Sequence, residues 1–230
     1  MIQEPSKEIL KTVPLFAELN DQELEAIYSV TRQKTYPKGS VIFLEGDPGD
    51  ALYLILNGEV KVMILGVDGR EFILTFLRAG DFFGEMSLLD DRPRSATVMT
   101  TEDSTFLVLQ KQEFLNQIKE SSTILFKFLI ALCNRLRETD EKIGNLALLD
   151  VYTRISKTLL TLGKNVGVPG EQGEIIIPKR PTHQDFASMV GASRETVTRV
   201  LNDLERRGYI SLSGRSVVIR KSLLDHLVNI

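Results

Sequence analysis

The sequence predicts an α+β protein: an N-terminal β-roll of the jelly-roll type, a long helix, and a C-terminal winged helix-turn-helix. Three observations predict it. Gly39, Gly46, Gly49, Gly58, Gly69, Gly80 and Gly84 punctuate short strand-like runs; the glycine-free stretch from Lys111 to Gly144 carries a 3.5-residue apolar repeat; and two short helical patterns meet at Gly191 ahead of a hairpin signal.

In chain order, an amphipathic start places Leu15, Phe16, Leu19, Leu24 and Ile27 at helical spacing. Strand-like runs follow at Ala51–Leu56, Val60–Leu65, Phe72–Leu77, Ser95–Met99 and Ser104–Leu109, with Asn57-Gly58 and Asp68-Gly69 as hairpin turns, which reads as a compact antiparallel roll. From Lys111 onward the pattern is helical. Leu125, Leu129, Leu132, Leu136, Thr139, Ile143 and Leu146 recur in alternating steps of four and three, the seam of a coiled coil and hence of a homodimer through residues 125–146. Thr139 is the polar member of that seam, a position that costs stability unless it sets register or meets a ligand. Asp150 is placed to cap a helix over Val151–Leu162, Gly163–Gly173 reads as a loop, and Glu174–Pro178 as a short strand. The expected division is 1–110 for the roll with its N-terminal helices, 111–149 for the dimerisation helix, and 150–230 for the DNA-reading domain.

Composition narrows the function. The chain has 230 residues, 43% hydrophobic and 26% charged, which suits a globular protein of more than one core. No run approaches the roughly 20 apolar residues of a membrane helix, and Met1-Ile2-Gln3-Glu4-Pro5 lacks the start of a signal peptide, so the expectation is a cytoplasmic protein without a membrane partner. Cys133 is the single cysteine, which excludes an intrachain disulfide, a Cys-x-x-Cys metal site and a cysteine-ligated cluster. The net charge of −3 conceals segregation: Lys179, Arg180, Arg194, Arg199, Arg206, Arg207, Arg215, Arg220 and Lys221 face only Asp185, Glu195, Asp203 and Glu205 in that stretch.

The segment Gly80-Asp-Phe-Phe-Gly84-Glu85-Met86-Ser87 through Arg92-Pro93-Arg94-Ser95-Ala96 combines a glycine for close anion approach, a helical turn with free N–H groups, and a forked cation. Glu85 among phosphate donors suits a sugar hydroxyl, so the set describes a ribose phosphate. It resembles the phosphate-binding cassette of cyclic-nucleotide-binding domains, found in the regulatory subunits of cyclic-AMP-dependent kinases and in the bacterial cyclic-AMP receptor protein (Crp/Fnr) family. That resemblance implies that Glu85 holds the ribose 2′-hydroxyl, that Arg94 pairs with the cyclic phosphate, that Ser95 assists through its amide and hydroxyl, and that Gly84, Met86 and Ser87 form the loop. The family also brings a Thr-Ser pair from the dimer helix to adenine. Thr139 matches the first position and Asp140 departs at the second; aspartate can still accept from an amino group, so adenine remains favoured, while the added charge weakens binding or alters base choice.

Thr182 to Leu204 reads as a helix-turn-helix: Phe186, Ala187 and Val190 face inward on one helix, Gly191 permits the turn, and Ser193 caps a second helix with Val197, Val200, Leu201 and Leu204 on its core face. Arg194, Glu195 and Arg199 lie on its outer face, suited to guanine O6/N7 and cytosine N4 in a major groove. The run Gly191-x-Ser193-Arg194-Glu195-Thr196-Val197-Thr198-Arg199 resembles the recognition helix of the same family, which implies an inverted repeat of a TGTGA-like half-site. Thr182, Ser193, Thr196 and Thr198 complete the expected DNA-binding set, with Arg215 in a hairpin wing between Tyr209–Leu212 and Val217–Arg220.

The implied function is a sequence-specific transcription regulator that binds double-stranded DNA as a homodimer under control of cyclic AMP as allosteric ligand, with RNA polymerase as a further partner. The same-family alternative is constitutive or answers to cyclic GMP or a cyclic dinucleotide, and Asp140 is the feature that keeps it open. No cofactor, metal or catalytic residue is expected, since the roll has neither a metal-ligand cluster nor a nucleophile with its base. Haem sensing is unsupported, because His183 and His226 both lie in the C-terminal domain. A kinase regulatory subunit would leave the helix-turn-helix unexplained.

Overall fold

The computed structural model describes residues 10–11, 13–14, 16–171 and 173–223; Leu15 and His226 lie outside them. The chain divides into two compact units, 1–137 and 138–230.

In the first unit, α1 (Asp21–Ser29) starts at a reciprocal cap: the Asn20 side chain accepts from the Gln22 and Glu23 amides, and the Glu23 carboxylate accepts from the Asn20 amide. Eight strands follow: β1 (Thr31–Tyr36), β2 (Val41–Phe43), β3 (Ala51–Asn57), β4 (Glu59–Leu65), β5 (Glu71–Arg78), β6 (Phe82–Phe83), β7 (Thr97–Thr100) and β8 (Ser104–Gln110). They form two antiparallel four-stranded sheets, ordered β1-β8-β3-β6 and β2-β7-β4-β5. The five residues Ala51–Ile55 are all buried because β3 is covered on both faces. Leu52 and Leu54 join a cluster with Phe82, Leu107, Phe114 and Phe128, while Ala51, Tyr53 and Ile55 face Phe83, Val98 and Phe106 across the roll. The roll predicted from glycine spacing is therefore present, with one short helix, α2 (Met86–Asp90), between β6 and β7.

The helical stretch predicted from Lys111 is two helices: α3 (Lys111–Glu120) and α4 (Ser122–Leu148), broken at the extended Ser121 (φ −122°, ψ 107°). Ser121 caps the second helix through its hydroxyl, which accepts from the Ile124 amide, and it also touches the Glu23 carboxylate at 3.3 Å. The break lets Phe114 and Phe128 meet edge to face at 5.3 Å in the roll core, which one straight helix would prevent. Along α4, Leu125, Leu129, Leu136, Ile143 and Leu146 are exposed, Leu136 to 62% and Ile143 to 59%, whereas Leu132 packs partly on the roll core.

The second unit contains α5 (Val151–Val166), β9 (Val168–Pro169), β10 (Ile175–Ile177), α6 (His183–Val190), α7 (Arg194–Arg206), β11 (Ile210–Ser213) and β12 (Ser216–Ile219). Its sheet is ordered β11-β12-β10-β9. Asp150 caps α5 as expected, accepting from the Thr153 amide at 3.1 Å and hydroxyl at 2.8 Å. The helix runs a turn past Leu162, so Gly163 is helical rather than the start of a loop. A Cβ at Gly163 would lie 3.1 Å from Ile175 and 3.2 Å from Ile219, so the small residue serves helix–sheet packing here.

Candidate functional site

The first site lies around α2. Gly84 has φ +86°, and a Cβ there would sit 2.7 Å from Arg94 Nη1 and 3.0 Å from the Ala51 carbonyl, so the loop is sterically restricted to glycine. Gly49 is equally crowded: its Cβ would meet Ser87 at 2.4 Å and the Arg94 guanidinium carbon at 3.0 Å. Gly84, Glu85, Met86, Ser87, Arg94 and Ser95 are thus brought to one locus.

Arg94 is buried there. Nη1 donates to the Gly84 carbonyl at 2.6 Å and Nη2 to the Ala51 carbonyl at 2.9 Å, while the guanidinium stacks 4.2 Å over Phe43. Its Nε is buried with no hydrogen-bond partner, and among the described residues Arg94 makes no ion pair. Burial pulls its pKa down, opposed by Tyr53, Asp50, Glu85 and Asp47, but a guanidinium remains charged in any protein. A buried cation bonded only to carbonyls, in a loop with no room for a Cβ, fits an anionic ligand. Ser95 is exposed and its hydroxyl donates to Met86 sulfur at 3.4 Å, which places both at the rim.

Glu85 is also buried, and its partner is a residue that sequence reasoning missed: Arg135 Nη1 on α4 donates to Glu85 Oε1 at 2.7 Å. Arg135 also donates to the Phe82 carbonyl and lies 4.4 Å over the Phe82 ring. Arg135 fixes the Glu85 carboxylate in place, and it packs α4 against the roll at Phe82. Its sequence signal is weak, since it lies 50 residues from Glu85 and beside a seam read only for apolar residues. Thr139 and Asp140, expected to meet the base, are exposed on α4 and belong to the second unit.

The second site is the helix-turn-helix. The Thr182 hydroxyl caps α6, accepting from the Asp185 amide at 3.0 Å, and Ser193 caps α7, accepting from the Thr196 amide at 3.1 Å. Gly191 between them is left-handed (φ 63°, ψ 47°), the geometry the turn requires. Phe186, Ala187, Val190, Val197, Val200, Leu201 and Leu204 form the core, as the pattern predicts. Arg194, Glu195 and Arg199 are exposed on α7, and the concavity over that face also includes Asn202, Arg206 and Tyr152. Asn202 and Arg206 extend the Glu195–Arg199 row at helical spacing, a signal that was available in the sequence. The amide of Glu195 itself, then the Ser193 side chain and Arg194, hold the Glu195 carboxyl below its usual range, so it stays ionised as an acceptor.

Arg215, at the exposed wing, donates from Nε and Nη2 to the Arg180 carbonyl at 3.0 and 2.7 Å. Arg180, not anticipated from sequence, is buried and donates to the Pro181 and Gly214 carbonyls at 3.0 and 3.3 Å, with a buried Nε that has no partner. Arg154 ties α5 to the end of α6 by donating to the Val190 carbonyl at 3.0 Å.

Fold and sites together define a nucleotide-binding roll joined to a DNA-reading domain, and comparison with known proteins agrees. The cyclic nucleotide-binding domain model matches residues 33–121, and the Crp-like helix-turn-helix domain model matches residues 153–224. A CRP-like cAMP-activated global transcriptional regulator of Mycobacterium tuberculosis is 34% identical over 215 residues, covering 94% of this chain and 96% of that protein. The cAMP-activated global transcriptional regulator CRP of Escherichia coli is 36% identical over 200 residues, covering 86% and 94%. Among solved structures, the c-di-GMP responsive global regulator CLP of Xanthomonas campestris aligns with TM-score 0.74 at 29% identity, covering 87% of this chain and 99% of that one. This chain belongs to the Crp/Fnr family of cyclic-nucleotide-binding, DNA-binding transcription regulators, and its relatives are regulators rather than enzymes.

Proposed function

We propose that the chain acts in the cytoplasm as a homodimer paired in parallel along residues 125–146, binding cyclic AMP in each roll and an inverted TGTGA-like repeat with its two helix-turn-helix units. The nucleotide contacts are Gly84, Glu85, Met86, Ser87, Arg94 and Ser95, with Thr139 and Asp140 at the base. The DNA contacts are Thr182, Ser193, Arg194, Glu195, Thr196, Thr198, Arg199 and Arg215, and RNA polymerase is the further partner. Residues 111–149 link ligand to DNA in this reading, dividing the roll of 1–110 from the reader of 150–230.

The observation that supports it most is Arg94, a buried cation with an unpartnered Nε and, among the described residues, no carboxylate in ion-pair contact, near a Glu85 carboxylate already held by Arg135. A cyclic phosphate answers the first and a ribose hydroxyl the second. The exposed apolar row on α4 supports the pairing, because a second copy would bury it. For nucleotide to switch DNA binding it must bind the DNA-competent state more tightly than the other.

Fluorescence anisotropy tests the reading, with a TGTGA palindrome and a scrambled duplex, without nucleotide and with cyclic AMP or cyclic GMP, at fixed salt. Tightening of the palindrome by cyclic AMP alone is the expected result. Specific binding indifferent to every nucleotide would overturn the ligand assignment and leave the DNA assignment. Asp140 keeps open a second reading, in which the ligand is cyclic GMP or a cyclic dinucleotide or binding is constitutive. Titrations with each nucleotide separate the two.

A further inference from the structure

His183 opens α6, and its Nδ1 lies 2.8 Å from the Thr198 hydroxyl on α7, so one side chain bridges the two helices of the DNA-reading element. The hydroxyl has a single proton, and it is directed to the Arg194 carbonyl at 3.0 Å. The His183 contact therefore uses Nδ1–H as donor, which leaves the lone pair of the neutral ring on Nε2. That nitrogen is buried and has no hydrogen-bond partner.

The charged groups around the ring are mostly cationic. Arg180 faces it from the segment before α6, and Arg194 from the start of α7. Asp185, on its own helix, is engaged by the Thr182 hydroxyl at 2.6 Å, and Arg215 of the wing is turned onto the Arg180 carbonyl. A proton on Nε2 would create a buried imidazolium N–H with no acceptor, beside two guanidinium groups. Burial first, then Arg180 and Arg194, accordingly hold the imidazole below its ordinary range.

We propose that His183 is a proton-linked latch: neutral in the free protein, it takes a proton from solvent onto Nε2 when the negative potential of a bound duplex offsets the charges of Arg180 and Arg194, so that DNA affinity rises on acidification. The inference rests on the DNA contacts proposed above. If the bound state holds more protons than the free state, Kd falls as pH falls, by at most about tenfold per pH unit for one proton. The free domain behaves oppositely. Its unfolded chain protonates more readily than the folded one, so its stability declines as pH drops below the ordinary histidine range. A solvated surface histidine of ordinary pKa would not give that decline in stability.

The chain has only two histidines, so ring C2–H resonances can be followed directly by NMR, with His226→Gln assigning them. His183 should titrate below an ordinary histidine in the free protein and at higher pH when the TGTGA duplex is bound with cyclic AMP. In anisotropy, the wild-type Kd should fall about threefold to tenfold between pH 7.5 and 6.0 at fixed salt. His183→Gln keeps an N–H donor for Thr198 but cannot titrate, and should lose that slope. Unchanged titration of His183 in a protein that demonstrably binds the duplex overturns the latch alone. A slope retained in His183→Gln does the same. Failure to bind the duplex at any pH overturns the DNA reading and the latch with it. Should His183→Gln not fold, the wild-type resonance titration decides.

Discussion

Replacing Arg94 with methionine, which keeps an unbranched apolar stem but removes the charge, should weaken ligand affinity while leaving stability nearly unchanged. The guanidinium is buried, bonded to the Gly84 and Ala51 carbonyls and stacked on Phe43, with no carboxylate in ion-pair contact among the described residues. Losing the two charge-assisted hydrogen bonds costs about 1.5–3 kcal/mol each. Against that, an unpaired buried ion carries a desolvation penalty of roughly several kcal/mol, which the substitution removes. The two effects are of similar size, so thermal unfolding without nucleotide should show a Tm within a few degrees of the wild type. Binding has no such offset: losing one partner of a buried charge pair costs about 2–5 kcal/mol, or roughly thirty-fold to several thousand-fold in Kd. Calorimetric titration with cyclic AMP measures the second effect and a calorimetric scan the first. A variant that loses stability yet keeps its nucleotide affinity would make Arg94 a structural residue and refute the argument.

Other substitutions separate the remaining parts. Arg199→Ala should cost about 1–3 kcal/mol on the cognate palindrome and relax base choice, read by competition between duplexes altered at single positions; equal loss on scrambled DNA would reassign Arg199 to a phosphate. Leu136→Lys lies at a position 62% exposed in the single chain, so the fold should be untouched while sedimentation shows a shift from dimer to monomer. Burying a leucine is worth about 1.5–3 kcal/mol per copy, so dimer Kd should rise by about a hundredfold or more; a persisting dimer would place the interface elsewhere. Asp140→Ser, which restores the family's hydroxyl, should tighten cyclic AMP binding several-fold, and tighter binding of the aspartate form would reverse the inferred role of its charge.

The parts legible in the sequence are those whose signals are local. The alternating apolar runs and Asn57-Gly58 locate β3 and β4 almost residue for residue, and Ser193 with Gly191 locates α7. Glu85 and Arg94 are recognisable because a loop sets their spacing. What was not legible depends on distant residues. Ser121 breaks the long helix because Phe114, Ile124 and Phe128 must share one core, and Gly163 stays helical because Ile175 and Ile219 close over it. Arg135 acquires its role only from a carboxylate 50 residues earlier. Arg180 acquires its own only from a wing folded back upon it.

Arg94 and Arg180 extend the stability argument to both units. Each is buried, each donates its terminal nitrogens to backbone carbonyls, and each has a buried Nε with no partner. Histidine or lysine in such a place could shed its proton and escape the desolvation cost, but arginine cannot. The cost therefore persists until an anion neutralises the group, so on the proposed reading part of the binding free energy of nucleotide at Arg94, and of any anion that reaches Arg180, would come from relief of a pre-existing penalty. Ligand binding at either residue would then stabilise its unit by mass action, and would shift a population only in so far as the relief is larger in one conformation than in the other.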